Sequence, residues 1–149
     1  MTGILTRWVV LREHPVAAHE LDDGGAVGDA AVERWVASAR QEYLDRCVVL
    51  RQVRERSGLE LTSRAGELPR GVLLGRPTSV AVSASASELW PSSFTISVRL
   101  RPLGGDRDTA LNTTCVVSLV DAVTGEAHPL GKEVRDELIA LEHSARHFN

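Results

Sequence analysis

The chain has 149 residues and a formal net charge of −3, with 17 Lys and Arg against 20 Asp and Glu. This length is typical of a single domain that buries its own core, so one domain spanning 1–149 is expected. The slightly acidic balance excludes a chain whose whole surface attracts nucleic acid, and no nucleic-acid partner is expected.

No segment of the sequence predicts a membrane partner. The apolar run from Trp8 to Leu11 is only four residues long and is flanked by Arg7 and Arg12. It is too short for a signal-peptide core or a membrane span. The two cysteines, Cys47 and Cys115, lie in apolar patterns and are expected to be buried free thiols, which suits a cytoplasmic protein.

The N-terminal region predicts a strand followed by an acidic loop. Leu5 to Ala18 favours a strand or a pair of strands, with Pro15 indicating an edge or a bulge. The loop from Glu20 to Asp29 contains Gly24, Gly25 and Gly28, which allow the backbone to turn sharply.

One long amphipathic helix follows the loop and runs to Cys47. Its apolar residues recur every three or four positions, which gathers them on one side of the helix: Val27, Ala31, Val32, Trp35, Val36, Ala39, Tyr43 and Cys47. Asp29 is expected to be the N-cap, so unpaired N–H groups should converge beside the loop. About nineteen residues at ~1.5 Å each give a helix that crosses a small domain.

The next two segments are less regular. Val48 to Ser57 keeps helical character and ends at Ser57-Gly58. Leu59 to Gly75 is predicted to be a loop with a short strand near Val72 to Leu74, because Gly66, Pro69, Gly71 and Gly75 interrupt any period.

Beyond Pro77 the apolar period changes to two, which predicts antiparallel strands. Alternation marks three of them, Val80 to Ala86, Phe94 to Leu100 and Thr109 to Val120. Asp121 to Pro129 allows a further short strand, and Gly131 to His147 has the spacing of a helix. One long helix followed mainly by alternating strands predicts the α+β class.

The loop and the helix together resemble a known family. Asp22-x-x-Gly25, followed by Glu33-Arg34-Trp35 and by Ala39-Arg40-Gln41-Glu42-Tyr43-Leu44, is similar to the signature of hotdog-fold acyl-CoA thioesterases of the 4-hydroxybenzoyl-CoA thioesterase type. The resemblance implies an antiparallel sheet wrapped around the central helix. It also implies a homodimer or a higher homo-oligomer, in which the acidic loop of one subunit lies near its partner.

The same resemblance implies the activity and its residues. An acyl-CoA or an acyl-carrier protein would be the substrate, with Asp22 as nucleophile or general base. Backbone amides that follow the glycine would polarise the thioester carbonyl, so the implied substrate-binding residues are Gly25, Ala26, Val27, Gly28 and Asp29. Ser93 either hydrogen-bonds the ligand at the start of a strand or caps a turn. From the residues alone, Asp22 and Asp23 are equally ordinary turn formers.

The loop departs from the family pattern after the glycine. Many members have His there, with an aromatic residue, His or Asn two positions further on, whereas this chain has Ala26, Gly28 and Asp29. Asp29 is therefore either the N-cap or a second active-site carboxylate whose charge affects the ionisation of Asp22. Two functions stay open: a thioesterase, and a hotdog module that binds an acyl thioester without hydrolysing it.

Other site chemistries are not predicted. The five histidines lack the spacing of a metal site, and there is no Cys-x-x-Cys, Walker or Rossmann motif: His14, His19, His128, His143 and His147. Neither a metal nor a cofactor is expected.

Overall fold

A computed structural model describes the backbone of residues 8–147 and the side chains of residues 8–143. Eight elements follow one another along the chain, namely β1 (Val10–Pro15), α1 (Asp29–Asp45), α2 (Val48–Ser57), β2 (Leu59–Ala65), β3 (Ser79–Leu89), β4 (Ser93–Leu103), β5 (Leu111–Asp121) and α3 (Gly131–His147). Short 3-10 turns lie at Ala18–Glu20 and Gly71–Leu74. The strands form one antiparallel sheet in the order β1-β3-β4-β5-β2.

Helix α1 lies against the sheet and carries the apolar side chains that the sequence predicts. Trp35, Val36 and Tyr43 are all buried, and α1 packs on β1, β3 and β4. The opposing strands contribute buried residues at alternate positions, and these side chains form one core with the apolar side of α1. The predicted architecture, a hotdog sheet wrapped around a central helix, is confirmed.

The helical region differs from the prediction at both ends. The helix begins at Asp29, one residue earlier than an N-cap at Asp29 implies, because Gly28 is extended with φ −79° and ψ 153° and is itself the N-cap. It ends at Asp45, and a separate helix starts at Val48. The first turn of α2 is capped from α3, since Glu137 accepts hydrogen bonds from the amides of Val49 and Leu50 at 2.8 and 3.1 Å.

The region from Leu59 to Gly75 was predicted as a loop, and that prediction is wrong for its first half. Leu59–Ala65 is the edge strand β2, paired with β5. The short strand predicted near Val72 is instead the 3-10 turn Gly71–Leu74. In the segment 121–129 the only strand-like pairing described is an isolated bridge between Val120 and Ala127.

The N-terminal prediction holds as a single strand, β1, in place of a pair, and Leu5 to Arg7 lie outside the described residues. Pro15 is the last residue of this edge strand. Within residues 8–147, no helix is both long enough and apolar enough to cross a membrane.

Candidate active site

The acidic glycine loop is closed by hydrogen bonds that begin and end near Asp22. The Asp22 amide donates to the Ala26 carbonyl at 2.6 Å, and the Gly25 amide donates to the Asp22 carbonyl at 2.9 Å. Gly25 has φ +85°, a left-handed conformation that favours glycine. The loop therefore needs the glycine at this position.

The Asp22 side chain is exposed, and only one of its two carboxylate oxygens accepts a hydrogen bond from the described residues. Its Oδ1 atom accepts a hydrogen bond of 3.0 Å from the amide of Ala26. Its other oxygen, Oδ2, receives no hydrogen bond from the described residues. This arrangement fixes the direction of the carboxylate and leaves one oxygen facing solvent.

Most of the backbone amides predicted to bind the substrate already have acceptors inside the chain. The amides of Gly25 and Ala26 donate to Asp22 atoms, Val27 donates to the Gly75 carbonyl at 3.0 Å, and Gly28 donates to the Glu20 carbonyl at 2.8 Å. Val27 is also buried in the core. The amides that remain without an acceptor are those that follow Gly28.

Those donors are the first amides of α1. The N-cap residue, Gly28, makes no side-chain capping bond, and the first turn of an α-helix has amides without partners inside the helix. The amides of Asp29 and Ala30 therefore point out of the helix end, where the helix dipole favours negative charge. A Cβ placed on Gly28 would lie 4.0 Å from the Asp22 amide nitrogen, so Asp22 adjoins this helix end.

Asp29 is not the N-cap, which corrects the prediction. It is the first residue of α1, and its Oδ1 accepts a hydrogen bond of 2.7 Å from the Gly71 amide while its Oδ2 accepts one of 3.1 Å from Arg70 Nε. The Gly71 amide, followed by the charge of Arg70, holds the pKa of Asp29 below its usual value. Asp29 thus joins the helix start to the turn at 71–74.

That turn packs tightly on the loop. A Cβ on Gly71 would lie 2.3 Å from the Val27 carbonyl oxygen and 2.9 Å from the Gly28 carbonyl carbon, so a side chain there would require the backbone to shift. Val72 and Leu73 follow and are each 47% exposed. The segments that border the loop therefore present apolar side chains to solvent.

Arg76 borders the candidate site and is not among the residues that the sequence predicts there. Its Nη2 donates to the Gly24 carbonyl at 2.7 Å, and a Cβ on Gly25 would lie 3.4 Å from its Nε. Among the described residues no carboxylate forms an ion pair with its guanidinium. A positive charge therefore lies beside the loop, where it also interacts with the carboxylate of Asp106.

The structure does not bring Ser93 to this site within one chain. The loop contacts Gly75, just before β3, and the start of β3 pairs with Leu103 at the end of β4. Ser93 begins β4, ten residues earlier, which at ~3.3 Å per residue is about 33 Å away. Asp22 and Ser93 of the same chain are too far apart to bind one small group.

Among the side chains of residues 8–143, no group of three or more His, Cys, Asp and Glu could hold a metal ion. The loop presents a carboxylate, and a guanidinium and the amides at the helix end lie beside it.

Comparison with solved structures supports the fold. A thioesterase from Thermus thermophilus, complexed with coenzyme A and zinc, is 20% identical with a TM-score of 0.61, covering 93% of this chain and 98% of that one. A 1,4-dihydroxy-2-naphthoyl-CoA thioesterase from Synechocystis is 12% identical with a TM-score of 0.63, covering 89% and 97%. A 12:0-ACP thioesterase from Umbellularia californica is 13% identical with a TM-score of 0.70, covering 94% and 55%.

No family model matches the sequence, and no curated protein matches it either. At identities of 12 to 20%, the structural likeness establishes the hotdog fold.

Proposed function

We propose that this chain hydrolyses an acyl thioester, as hotdog thioesterases of the 4-hydroxybenzoyl-CoA thioesterase type do, with Asp22 as the reacting carboxylate. One observation carries the proposal: Asp22 adjoins the uncapped N-terminus of α1 and keeps one carboxylate oxygen without a partner among the described residues. A carboxylate and a set of unpaired amides are the two groups that thioester hydrolysis requires.

In the proposed reaction, Oδ2 of Asp22 either takes a proton from the attacking water or attacks the carbonyl carbon itself. The carbonyl oxygen becomes negative as the bond to the nucleophile forms, and the amides of Asp29 and Ala30 stabilise that charge. The C–S bond then breaks and the sulfur leaves as a thiolate, which takes back the proton held by Asp22 in the general-base route and a proton from solvent in the nucleophilic route. Where Asp22 is the nucleophile, water hydrolyses the resulting anhydride, so both routes give a carboxylic acid and a thiol.

Amides of the loop itself contribute less in this scheme than the resemblance implies. Gly25, Ala26, Val27 and Gly28 all donate within the chain, so using them would break existing bonds. The Ala26 amide instead orients the Asp22 carboxylate through Oδ1.

The surface beside the loop supports a choice of substrate class. Leu21, Val72 and Leu73 are 37%, 47% and 47% exposed and lie on the segments that border Asp22, which favours an apolar acyl group. Two of the similar structures have names that specify CoA or acyl-carrier-protein thioesters. We propose an acyl-CoA or an acyl-carrier protein as the partner, in the reducing cytoplasm that the buried free thiols of Cys47 and Cys115 suit.

A specific observation favours the alternative, a module that binds acyl thioesters without hydrolysing them. The Asp22 carboxylate makes the bond to its own loop that any turn aspartate makes, and the loop lacks the histidine found in many members of the family it resembles. A panel of acyl-CoAs, monitored by released thiol, separates the two. Turnover supports the enzyme, while binding without thiol release supports the module.

We also propose that the single domain 1–149 assembles as a homodimer through β2. This strand is at the edge of the sheet, and the Gly66 amide donates to the Thr114 carbonyl of β5. Alternate amides, those of Leu61, Ser63 and Ala65, therefore point away from β5, towards the place where another strand can add.

Light scattering at micromolar concentration tests the dimer. The unmodified chain is expected to have twice the monomer mass. Ser63→Pro removes one outward amide without touching the β5 ladder and should shift the mass towards the monomer, whereas Ser63→Ala should not. A strict monomer for the unmodified chain would disprove the dimer.

A further inference from the structure

A second cleft lies away from the acidic loop, at the other end of α1. It has a volume of about 340 Å³ and lies between the last turns of α1, helix α2 and strand β2. Its apolar floor includes Leu44, Leu50, Leu61 and Val117. The volume is in the range of small-ligand pockets, and an apolar floor is typical of them.

The rim of this cleft carries two arginines of α2. Both Arg51 and Arg54 line it, and neither forms an ion pair with the described residues. Arg54 is half-buried, and its Nε is buried without a hydrogen-bond partner in the described structure. Because Nε is covered by the protein, the Nη atoms are the part of Arg54 that can meet an anion in the cleft.

The charge around the cleft limits which anion fits. The only carboxylate among its lining residues is Asp45, which accepts a hydrogen bond of 2.9 Å from Gln41. Two arginines and one aspartate leave a local charge of +1. That charge complements a monoanion better than a dianion. A planar carboxylate also matches the two parallel N–H groups that a guanidinium donates through its Nη atoms.

We propose that this cleft binds an aliphatic carboxylate, with the chain on the apolar floor and the carboxylate at Arg54 and Arg51. The proposal is independent of hydrolysis at Asp22. Residue 45 lies sixteen residues along α1 from Asp29, which at ~1.5 Å per residue is about 24 Å from the acidic loop. Even a chain without turnover would keep this ligand site.

Isothermal titration calorimetry with three ligands of equal chain length tests the proposal on the unmodified protein. Decanoate carries the proposed charge, 1-decanol is neutral, and decyl phosphate carries a larger charge near neutral pH. Decanoate is expected to bind at least ~10-fold more tightly than 1-decanol, because the alcohol leaves the guanidinium N–H groups unpaired. Equal affinities, no binding of decanoate, or tighter binding of decyl phosphate than of decanoate would each overturn it.

Substitutions on α2 then locate the site. Arg54→Gln and Arg51→Gln should each weaken decanoate binding by at least ~5-fold and leave 1-decanol binding unchanged. Arg56→Gln is the matched control, because Arg56 is on the same helix but pairs with Glu133 at 2.7 Å and does not line the cleft. Should Arg54→Gln not fold, the exposed Arg51 still decides. Equal losses in the Arg51 and Arg56 variants would show a non-specific charge effect and overturn the assignment.

Discussion

The Oδ1 atom of Asp22 accepts a hydrogen bond of 3.0 Å from the backbone amide of Ala26. This bond gives the carboxylate a fixed direction within a loop that is closed by short hydrogen bonds between its own backbone groups. A loop that only needed to turn would use the same bond, so the bond alone does not identify an enzyme. The proposal rests on the second oxygen and on the helix end beside it.

The contact between the 71–74 turn and the loop predicts a strong effect for a small substitution. Gly71→Ala should lower the free energy of unfolding by at least ~1 kcal/mol, because its Cβ would lie 2.3 Å from the Val27 carbonyl oxygen. Gly24→Ala is the control, since its Cβ would lie at an ordinary 3.4 Å from Asp22 Oδ1. Urea denaturation measures both. Equal stability of the two variants would show that the turn does not press on the loop.

The burial of Trp35 predicts how much the free energy of unfolding falls when a large side chain is removed from the apolar side of α1. It is 5% exposed in the core, and its ring stacks on His14 with centroids 5.9 Å apart. Trp35→Ala should therefore cost about 3–5 kcal/mol in urea denaturation. Val123→Ala, at a position 93% exposed, should cost almost nothing. An unchanged midpoint for Trp35→Ala would mean that α1 is packed differently.

The contact of Arg76 with the loop predicts that substituting it lowers the activity without a general loss of stability. Arg76→Gln should reduce kcat/KM for acyl-CoA hydrolysis by roughly 10-fold, because the Gly24 carbonyl loses a charged hydrogen-bond donor and the loop loses its positive charge. Arg107→Gln, in the neighbouring segment, serves as the charge-matched control. Similar kinetics in both variants would remove Arg76 from the site.

The burial of the Cys47 thiol predicts that the stability of the fold depends on pH. Burial, followed by the charges of Glu137 and Glu142, raises the pKa of Cys47 to about 12. In the unfolded chain the thiol ionises near 9.0, so above that pH the unfolded state loses a proton that the folded state keeps. Stability should fall between pH 9 and 12 by up to about 1.4 kcal/mol per pH unit for this group.

Alkylation measures the same property directly. At pH 8 the native protein should react slowly with iodoacetamide at both cysteines, since both are buried, and fully once unfolded in urea. Rapid labelling of Cys47 in the native state would contradict its burial. Stability that rises between pH 9 and 12 would contradict the direction of the pKa shift.

The sequence predicted the elements whose buried residues recur at a regular spacing. The stripe from Ala31 to Tyr43 and the alternation in β3, β4 and β5 each contain several buried residues, so their periods are clear. Strand β2 was missed because an edge strand buries little: Leu59 is its only buried residue and Leu61 is half-buried. Its pairing depends on β5, whose paired residues lie 50 to 62 positions further along the chain.

The site was predictable only where it is local. Asp22 and its glycine loop form a contiguous motif, whereas Arg76 reaches Gly24 across 52 positions of the chain. The role of Asp29 was predicted wrongly for the same reason. Its side chain bonds to Gly71, 42 positions away, and not to the start of its own helix. Contacts over such separations leave no periodic pattern in a single sequence.

The measurement that tests the central claim most directly is the rate of thiol release from acyl-CoA substrates by Asp22→Asn. Asparagine keeps an oxygen that can accept from the Ala26 amide, so the loop and the melting temperature should be preserved, but it neither attacks a carbonyl nor takes a proton from water. A loss of at least ~10²-fold in kcat is expected. Asp23→Asn and Asp29→Asn should retain turnover. Full activity in Asp22→Asn, or loss of activity in Asp29→Asn alone, would contradict the account.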